Sequence, residues 1–290
     1  MGKKLGFIGL GIMGTAMAEN LLKKGYPLIA FNRSAHKTAA LSKLGAEVAP
    51  SAAECAASCD VLLINLPDGP SIQELLFGPS ATAQSLRSGS TVVIFSTIAP
   101  REAVQIARAL GEKGINCLDA PVSGGDIGAK NASLSIMVGG ERQIFDQQLD
   151  VFEALGKKIS FMGKSGCGQM MKAVNQIAVA LSVAAMTESL VLAKNAGLDQ
   201  QAALEILQSG AAGSWSMSNY APRILSGDLK PGFFAKHMLK DLQIVLEESR
   251  ALGLSLPGAN LMKELYQSLC EGPGAELGNH ALIELYTRHC

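Results

Sequence analysis

The 290-residue sequence has little charge, few aromatic residues and no surplus of either charge sign. Charged residues make up 17% of the chain and aromatic residues 5%, and 25 Lys and Arg residues balance 25 Asp and Glu residues. Binding to the phosphates of a nucleic acid at scale requires a basic surplus, so we expect no nucleic-acid partner. The length suits two domains.

Long hydrophobic runs and paired metal ligands are also missing. The longest apolar stretch, from Ile177 to Met186, is well short of the roughly 20 residues that a membrane-spanning helix requires, so we expect no membrane partner. The segment Met1–Lys4 leads directly into a strand pattern, which predicts a cytoplasmic protein without a secretory signal. The six cysteines and four histidines show no zinc-site spacing, so we expect reduced thiols and no metal.

The first part of the chain alternates strand patterns with helix patterns. Short apolar runs bounded by Gly, Pro, Asn or Asp predict strands at residues 4–8, 28–31, 61–66, 91–95, 116–119, 134–138 and 159–162. Helical periodicity predicts helices at residues 13–24, 36–44, 52–58, 100–113 and 142–155. This alternation indicates an α/β domain with a doubly wound, mostly parallel sheet and helices on both faces.

Beyond Gly168 only helical patterns remain. They predict helices at residues 169–196, 200–208, 220–225, 234–252, 259–270 and 280–288. We therefore expect an α/β domain over residues 1–164 and an all-helical domain over residues 165–290, which begins with a long interdomain helix. The middle of that helix is apolar on nearly all sides, so we expect it to be buried within the helical domain or between subunits.

A glycine-rich turn follows the first predicted strand and opens the first predicted helix. It contains the pattern GxGxxG as Gly9, Gly11 and Gly14. In such a turn the first glycine permits a tight bend, the second lets the backbone approach a pyrophosphate, and the third allows close packing of helix and strand. The helix start at Ile12 and Met13 then offers its free N–H groups to the phosphates. The turn predicts a dinucleotide site.

The end of the second predicted strand indicates which dinucleotide binds. It reads Asn32-Arg33-Ser34, with Arg33 nineteen positions after Gly14 and no carboxylate nearby. A guanidinium suits the 2′-phosphate of NADP, whereas an NAD site usually carries Asp or Glu here, so we expect NADP. The alternative is an ordinary exposed loop arginine. Further candidate cofactor contacts, each also common in plain turns, are Leu66, Pro67 and Thr97.

Two later segments contain candidate substrate-binding and catalytic residues. Ser123-Gly124-Gly125 places a hydroxyl beside two glycines, whose N–H groups can approach a substrate carboxylate, although a turn with nothing bound fits equally well. Lys172, Asn175 and Gln176 are spaced i, i+3 and i+4, so one helix face carries an amine and two amides near the predicted domain boundary. A cleft there would desolvate Lys172 and suit it to proton transfer, whereas an ordinary helix lysine is solvated.

Four motifs together resemble the β-hydroxyacid dehydrogenases, which include 3-hydroxyisobutyrate dehydrogenase, tartronate semialdehyde reductase and the glyoxylate/succinic semialdehyde reductases. The motifs are GFIGLGIMG at the start, DAPVSGG at 119–125, GCGQMMKAVNQ at 166–176 and KHMLKDL at 236–242. They extend over essentially the whole chain in the right order. The resemblance implies a Rossmann domain joined by a long helix to an all-helical domain, and a homodimer or homotetramer.

The resemblance also implies roles for individual residues. Lys172 would be the general acid and base, Asn175 would orient the substrate oxygen, and Lys240 would close over the cofactor or substrate. The substrate carboxylate would be held by Ser123, Gly124 and Gly125. Leu66, Pro67 and Thr97 match cofactor contacts of the family, and the Asn32–Ser34 segment resembles its NADP-using members. The expected reaction is NADPH-dependent reduction of a short semialdehyde or 2-oxo acid to its hydroxy acid.

Some alternatives stay open at this point. The chain could be a 3-hydroxyisobutyrate-type dehydrogenase that prefers NAD, or a cofactor-binding module without catalysis. Imine reductases share the architecture but characteristically lack the lysine, so Lys172 counts against them. Many relatives carry an Asp just before the last helix, where this chain reads Leu277-Gly278-Asn279-His280, so substrate choice and subunit contact there stay open. Trp215 fits either a substrate pocket or a core or interface anchor.

Overall fold

The computed structural model describes residues 2–287 and divides into two compact units. The first unit ends at Lys172 and the second begins at Ala173.

The first unit contains a mostly parallel sheet, as the sequence predicts. Six strands lie parallel in the order β3-β2-β1-β4-β5-β6, while β8 pairs antiparallel with β6 and β7 and parallel with β9. This is the strand order of a doubly wound dinucleotide-binding fold. The strands are β1 (Leu5–Ile8), β2 (Leu28–Phe31), β3 (Glu47–Val48), β4 (Val61–Ile64), β5 (Thr91–Ile94), β6 (Asn116–Asp119), β7 (Val122–Ser123), β8 (Leu134–Gly139) and β9 (Gly156–Gly163).

Helices cover both faces of this sheet. Successive side chains of a strand point to opposite faces, so Phe7 lies in one apolar cluster and Ile8 in another. Burial on both faces explains why the strands read as continuous apolar runs. A 3₁₀ turn spans Ala35–Thr38, and the helices are α1 (Ile12–Lys23), α2 (Ala39–Lys43), α3 (Ala52–Ala57), α4 (Gly69–Phe77), α5 (Thr82–Ser85), α6 (Pro100–Gly111), α7 (Gly125–Lys130) and α8 (Arg142–Glu153).

Sequence patterns miss the short elements β3, β7, α4, α5 and α7. Two-residue strands are too short to show a period, and α7 contains two glycines, which disfavour a helix. Tertiary contact stabilises α7, because the side-chain amide of Asn20 on α1 donates to the carbonyl of Ala129 at 2.6 Å.

The second unit is helical. After α9 (Cys167–Asn195), which crosses the division between the units, the α-helices are α10 (Gln200–Ser209), α11 (Trp215–Asn219), α12 (Ala221–Leu225), α13 (Ala235–Ala251), α14 (Pro257–Cys270) and α15 (Glu284–Thr287), with 3₁₀ turns at Pro273–Glu276 and Asn279–Ile283. Its core includes Met186, Met238 and Tyr266. The predicted helix at residues 280–288 is split into a 3₁₀ turn and α15, and residue 288 lies outside the described residues.

The sequence predicts that α9 is buried either within the helical domain or between subunits. Burial within this chain is incomplete, because one side of α9 is exposed. Ala180, Val183, Met186 and Leu190 lie in the core of the second unit. The opposite side leaves a stripe exposed at helical spacing, which consists of Val174, Ala178, Leu181, Ala185, Glu188 and Leu192. We call these six residues the α9 stripe.

By length and composition alone, α9 could cross a membrane, which the shorter apolar run in the sequence did not predict. It has 29 residues, and 39% of its most apolar window is buried. The core helix of a soluble protein passes the same test, so this is weak evidence for a membrane span.

Gly14 and Gly11 provide a matched pair of substitutions. A Cβ atom on Gly14 would lie 2.0 Å from the backbone oxygen of Gly9, whereas one on Gly11 would meet nothing within 4 Å. We expect Gly14→Ala to lower the free energy of unfolding by about 1–3 kcal/mol because backbone must move. We expect Gly11→Ala to leave it nearly unchanged. Urea denaturation measures both, and equal losses for the two variants would contradict this assignment.

Candidate active site

The glycine-rich turn lies where the ends of β1 and β4 meet. Gly9 has φ +100°, and a Cβ atom there would lie 2.3 Å from the backbone oxygen of Asn65 and 3.1 Å from the side chain of Leu66. Only glycine permits this close approach, so the turn brings two predicted cofactor positions, Gly9 and Leu66, together. Gly11 and Ile12 are exposed at the start of α1, and Met13 is half-buried.

Asn32 braces the turn from the end of β2. Its Oδ1 accepts a hydrogen bond from the backbone N–H of Leu10 at 2.9 Å, and its Nδ2 donates to the carbonyl of Ser34 at 3.2 Å. Both polar atoms of the Asn32 amide are therefore hydrogen-bonded to backbone groups of neighbouring loops. The exposed side chains of Arg33 and Ser34 follow directly, with His36 also exposed beyond them. The structure thus gives Asn32 a bracing contact that the sequence did not predict.

The loops after β4 and β5 are joined by a serine. The backbone N–H of Leu66 donates to Ser96 Oγ at 2.7 Å. Pro67 is exposed and Thr97 is half-buried beside this contact in the chain. The predicted cofactor positions after β1, β2, β4 and β5 therefore lie at the carboxyl ends of the parallel strands, where ligands bind in open α/β sheets.

The buried carboxylate of Asp119, at the end of β6, holds the start of α9. Its Oδ1 accepts from the N–H of Gly166 at 2.8 Å, and its Oδ2 accepts from the N–H of Gln169 at 2.9 Å. Burial raises the pKa of Asp119 to about 6, and these backbone donors oppose that rise. A Cβ atom on Gly139 or Gly168 would lie within 2.8 Å of the carboxylate, so both positions require glycine.

A second set of contacts joins α9 to the loop after β5. Gln169 Nε2 donates to the carbonyl of Ser96 at 2.8 Å, and the N–H of Ile98 donates to Gln169 Oε1 at 3.1 Å. These contacts flank Thr97. Sequence reasoning missed Asp119 and Gln169; their only signal was a polar residue ending a strand and another in the first turn of a helix.

Lys172 follows one turn later on α9. It is 6% exposed, so the alternative of a solvated surface lysine is wrong. The side chains of residues three apart lie on neighbouring parts of a helix surface, so Lys172 is close to the anchored Gln169.

Ser123, Gly124 and Gly125 form the connection between β7 and α7. Ser123 pairs with Ser135 of β8, and Gly124 and Gly125 take φ values of +131° and +63°. All three are half-buried. Because Asn20 ties α7 to α1, this segment is connected to the helix that follows the glycine-rich turn.

In the second unit, two hydrogen bonds and an ion pair link Asn175 to Lys240. Asn175 Nδ2 donates to Gln176 Oε1 at 2.9 Å, and Gln176 Nε2 donates to Asp241 Oδ2 at 2.6 Å. Lys240 Nζ lies 3.0 Å from Asp241 Oδ1. Asp241 is almost fully buried, and its position after Lys240 in the KHMLKDL motif was the only signal for it.

The segment before α15 belongs to the core of the second unit. Asn279 and His280 are fully buried, and Tyr266 donates to the carbonyl of Asn279 at 2.9 Å. The His280 ring stacks on Tyr220 with centroids 4.8 Å apart. Trp215 contacts the same tyrosine edge-on at 4.9 Å and is 43% exposed, so it anchors an aromatic stack while presenting one side to solvent.

Two family models match the chain. The model described as the NAD binding domain of 6-phosphogluconate dehydrogenase matches residues 4–163. The model described as NAD-binding of NADP-dependent 3-hydroxyisobutyrate dehydrogenase matches residues 166–286.

Individual proteins match over nearly the full length. The probable 3-hydroxyisobutyrate dehydrogenase-like 1, mitochondrial, of Arabidopsis thaliana is 41% identical over 97% of this chain and 84% of its own. The 2-hydroxy-3-oxopropionate reductase of Escherichia coli is 39% identical over 97% of this chain and 96% of its own. The solved structure of Psf3 in complex with NADP+ and 2-OPP superposes with a TM-score of 0.92, at 26% identity over 98% of this chain and 100% of that one. The chain therefore belongs to the β-hydroxyacid dehydrogenase family and is an oxidoreductase with a nicotinamide-dinucleotide-binding Rossmann domain.

Proposed function

We propose that the protein uses NADPH to reduce a short, carboxylate-bearing semialdehyde or 2-oxo acid to its hydroxy acid, with Lys172 as the general acid. The observation that carries this proposal is the burial of Lys172 one turn after the hydrogen bonds that attach α9 to the ends of β5 and β6. An amine held at the ligand-binding edge of such a sheet can exchange a proton with a reacting oxygen.

The residues of the glycine-rich turn fit a dinucleotide. The space at Gly11 is open within 4 Å of a Cβ position, and the first N–H groups of α1 can bind a pyrophosphate. Gly9, Ile12, Met13 and Gly14 complete this turn, while Leu66, Pro67 and Thr97 are proposed to contact the rest of the cofactor. When bound, the reduced nicotinamide supplies the hydride for the carbonyl carbon.

The chain's own groups bind the substrate and move the proton. Lys172 Nζ donates a proton to the carbonyl oxygen as that oxygen gains negative charge, and takes it back in the oxidation direction. Ser123, Gly124 and Gly125 bind the substrate carboxylate, and Asn175 orients the reacting oxygen. Lys240, held by Asp241, closes over the ligand.

The proposed substrate class is supported by the Ser123–Gly125 segment, which suits a carboxylate, and by the relatives. Glyoxylate, succinic semialdehyde, tartronate semialdehyde and methylmalonate semialdehyde all carry a carboxylate near the carbonyl. The name of the Escherichia coli relative, 2-hydroxy-3-oxopropionate reductase, supports a compound of this kind.

The preference for NADP rests on Arg33 and Ser34. Both are exposed directly after β2, and no carboxylate occurs between Phe31 and Lys37. The guanidinium of Arg33 can pair with a 2′-phosphate. The description of the second family model and the NADP+ complex among the structural matches support this choice.

The α9 stripe fits a second copy of this chain in a homodimer, or in a homotetramer built from it. Five of its six residues are apolar and exposed in the single chain. Exposed apolar surface of this kind is typical of protein interfaces. We place the assembled enzyme in the cytoplasm.

Replacing Lys172 tests the reaction. We expect Lys172→Ala to lower kcat for NADPH-dependent reduction of glyoxylate or succinic semialdehyde by roughly 100-fold or more, because the proton donor is lost. The dissociation constant for NADPH, measured by fluorescence titration, should change little. Lys164→Ala, at an exposed lysine just before α9, is the matched control. Wild-type turnover by Lys172→Ala would refute the assignment, and an inactive wild type would favour a cofactor-binding module.

Replacing Arg33 tests the cofactor choice. We expect Arg33→Ala to lower the ratio of kcat/KM for NADPH to kcat/KM for NADH by roughly 10- to 100-fold, since a charged hydrogen bond is lost. Arg87→Ala, which removes an exposed arginine paired with Asp60, should leave the ratio unchanged. A wild-type enzyme that prefers NADH would instead support the NAD-dependent alternative.

A charge in the middle of the α9 stripe tests the assembly. We expect Ala185→Arg to shift the protein from dimer or tetramer to monomer in light scattering after size-exclusion chromatography, since an interface must bury the new charge. Ile206→Arg, at an exposed position on α10, should leave the assembly intact. A monomeric wild type would contradict the proposal.

A further inference from the structure

Gln169 is almost completely buried, at 1% exposure, in the first turn of α9. Both polar atoms of its side-chain amide contact backbone in the loop after β5. Nε2 donates to the carbonyl of Ser96, and Oε1 accepts from the N–H of Ile98. The amide therefore fixes the backbone on both sides of Thr97, which is a proposed cofactor contact.

The same loop is connected to a second proposed cofactor contact. Ser96 Oγ accepts from the N–H of Leu66 at 2.7 Å. One buried amide thus attaches the first turn of α9 to a loop pair that carries both Thr97 and Leu66.

The backbone of Gln169 is held independently by β6. Its N–H donates to Asp119 Oδ2, and the preceding glycines pack so closely that a Cβ atom on Gly168 would lie 2.5 Å from the backbone oxygen of Met137. The first turn of α9 therefore has little freedom to rotate or slide against the sheet. Because Lys172 lies three residues later on the same helix, these contacts also fix the position of its backbone.

We propose that Gln169 is a positioning residue that sets the distance between the catalytic amine of Lys172 and the cofactor loop at Thr97. This inference rests on the proposed function. Misplacement of a reacting group by about 1 Å can cost roughly 100-fold in rate, so loss of the amide should lower kcat more than it weakens binding.

The hydrogen-bonding pattern dictates the test, because the site needs one donor and one acceptor on the same side chain. Methionine fills a similar volume and provides neither strong group. An ionised carboxylate accepts from Ile98 but cannot donate to the carbonyl of Ser96. A protonated carboxyl can do both, so Gln169→Glu should regain function as the introduced carboxyl takes up a proton.

The neighbouring titratable groups are the same in every variant. Asp119 on β6 faces the backbone of residue 169, and Lys172 lies one turn along α9. The contacts from the loop after β5 are uncharged backbone groups. We therefore divide the rate of each variant by the wild-type rate at the same pH, and Gln169→Met, which adds no charge, serves as the reference for Gln169→Glu.

The experiment measures kcat and KM for succinic semialdehyde and NADPH in the wild type, Gln169→Glu and Gln169→Met, from about pH 8 down to about pH 5. We expect both variants to show kcat lowered by roughly 10- to 100-fold at the upper pH, with the dissociation constant for NADPH little changed. The ratio of Gln169→Glu to wild type should rise as the pH falls, while that of Gln169→Met stays flat.

Each other outcome overturns the positioning role. Wild-type kcat in both variants, or a flat ratio for Gln169→Glu, overturns the positioning role. A raised dissociation constant for NADPH with unchanged kcat also overturns it, since Gln169 would then serve cofactor binding alone. A wild type that is inactive with succinic semialdehyde, glyoxylate, tartronate semialdehyde and methylmalonate semialdehyde overturns the proposed function and with it the positioning role. If either variant fails to fold, Gln169→Asn keeps a buried amide of shorter reach, and wild-type kcat in that variant overturns the inference.

Discussion

The buried carboxylate of Asp119 is the constraint on which the arrangement of the first unit depends. A carboxylate removed from water is costly, and burial raises its pKa to about 6. The N–H groups of Gly166 and Gln169 offset this cost because they lie at a helix N-terminus, where a negative charge is favoured. The end of β6 and the start of α9 are therefore fixed relative to each other. This junction also fixes the position of Lys172, which lies in the second turn of α9.

The cofactor edge is built from loops that satisfy one another's polar groups. Asn32 accepts from the glycine-rich turn, and Ser96 accepts from the loop after β4. Buried backbone donors and acceptors must find partners, so these two side chains replace contacts that a regular strand would have provided. Gly9 allows the loops to come close enough for such bonds. Together these contacts give the edge a defined shape.

In the second unit a buried carboxylate likewise connects two helices, α9 and α13. Asp241 is buried, and a buried charge requires a partner. It has two, the ammonium of Lys240 and the amide of Gln176. Gln176 in turn orients the amide of Asn175. Asn175 and Lys240, which the family resemblance assigns to substrate and cofactor, are thus held by Gln176 and by Asp241, a residue to which the sequence assigned no role.

The sequence by itself determined the sheet, the main helices, the glycine-rich turn and the helix that carries Lys172, because each follows from local periodicity or local backbone geometry. The tertiary structure alone decided which groups hold that lysine in place. Asp119 and Gly166 are 47 residues apart, and Gln169 and Ile98 are 71 apart. No local pattern encodes such pairings, since they arise only when the sheet brings distant strand ends to one edge. The exposure of the α9 stripe has the same origin, because an apolar helix reveals its unburied side only after its neighbours have packed.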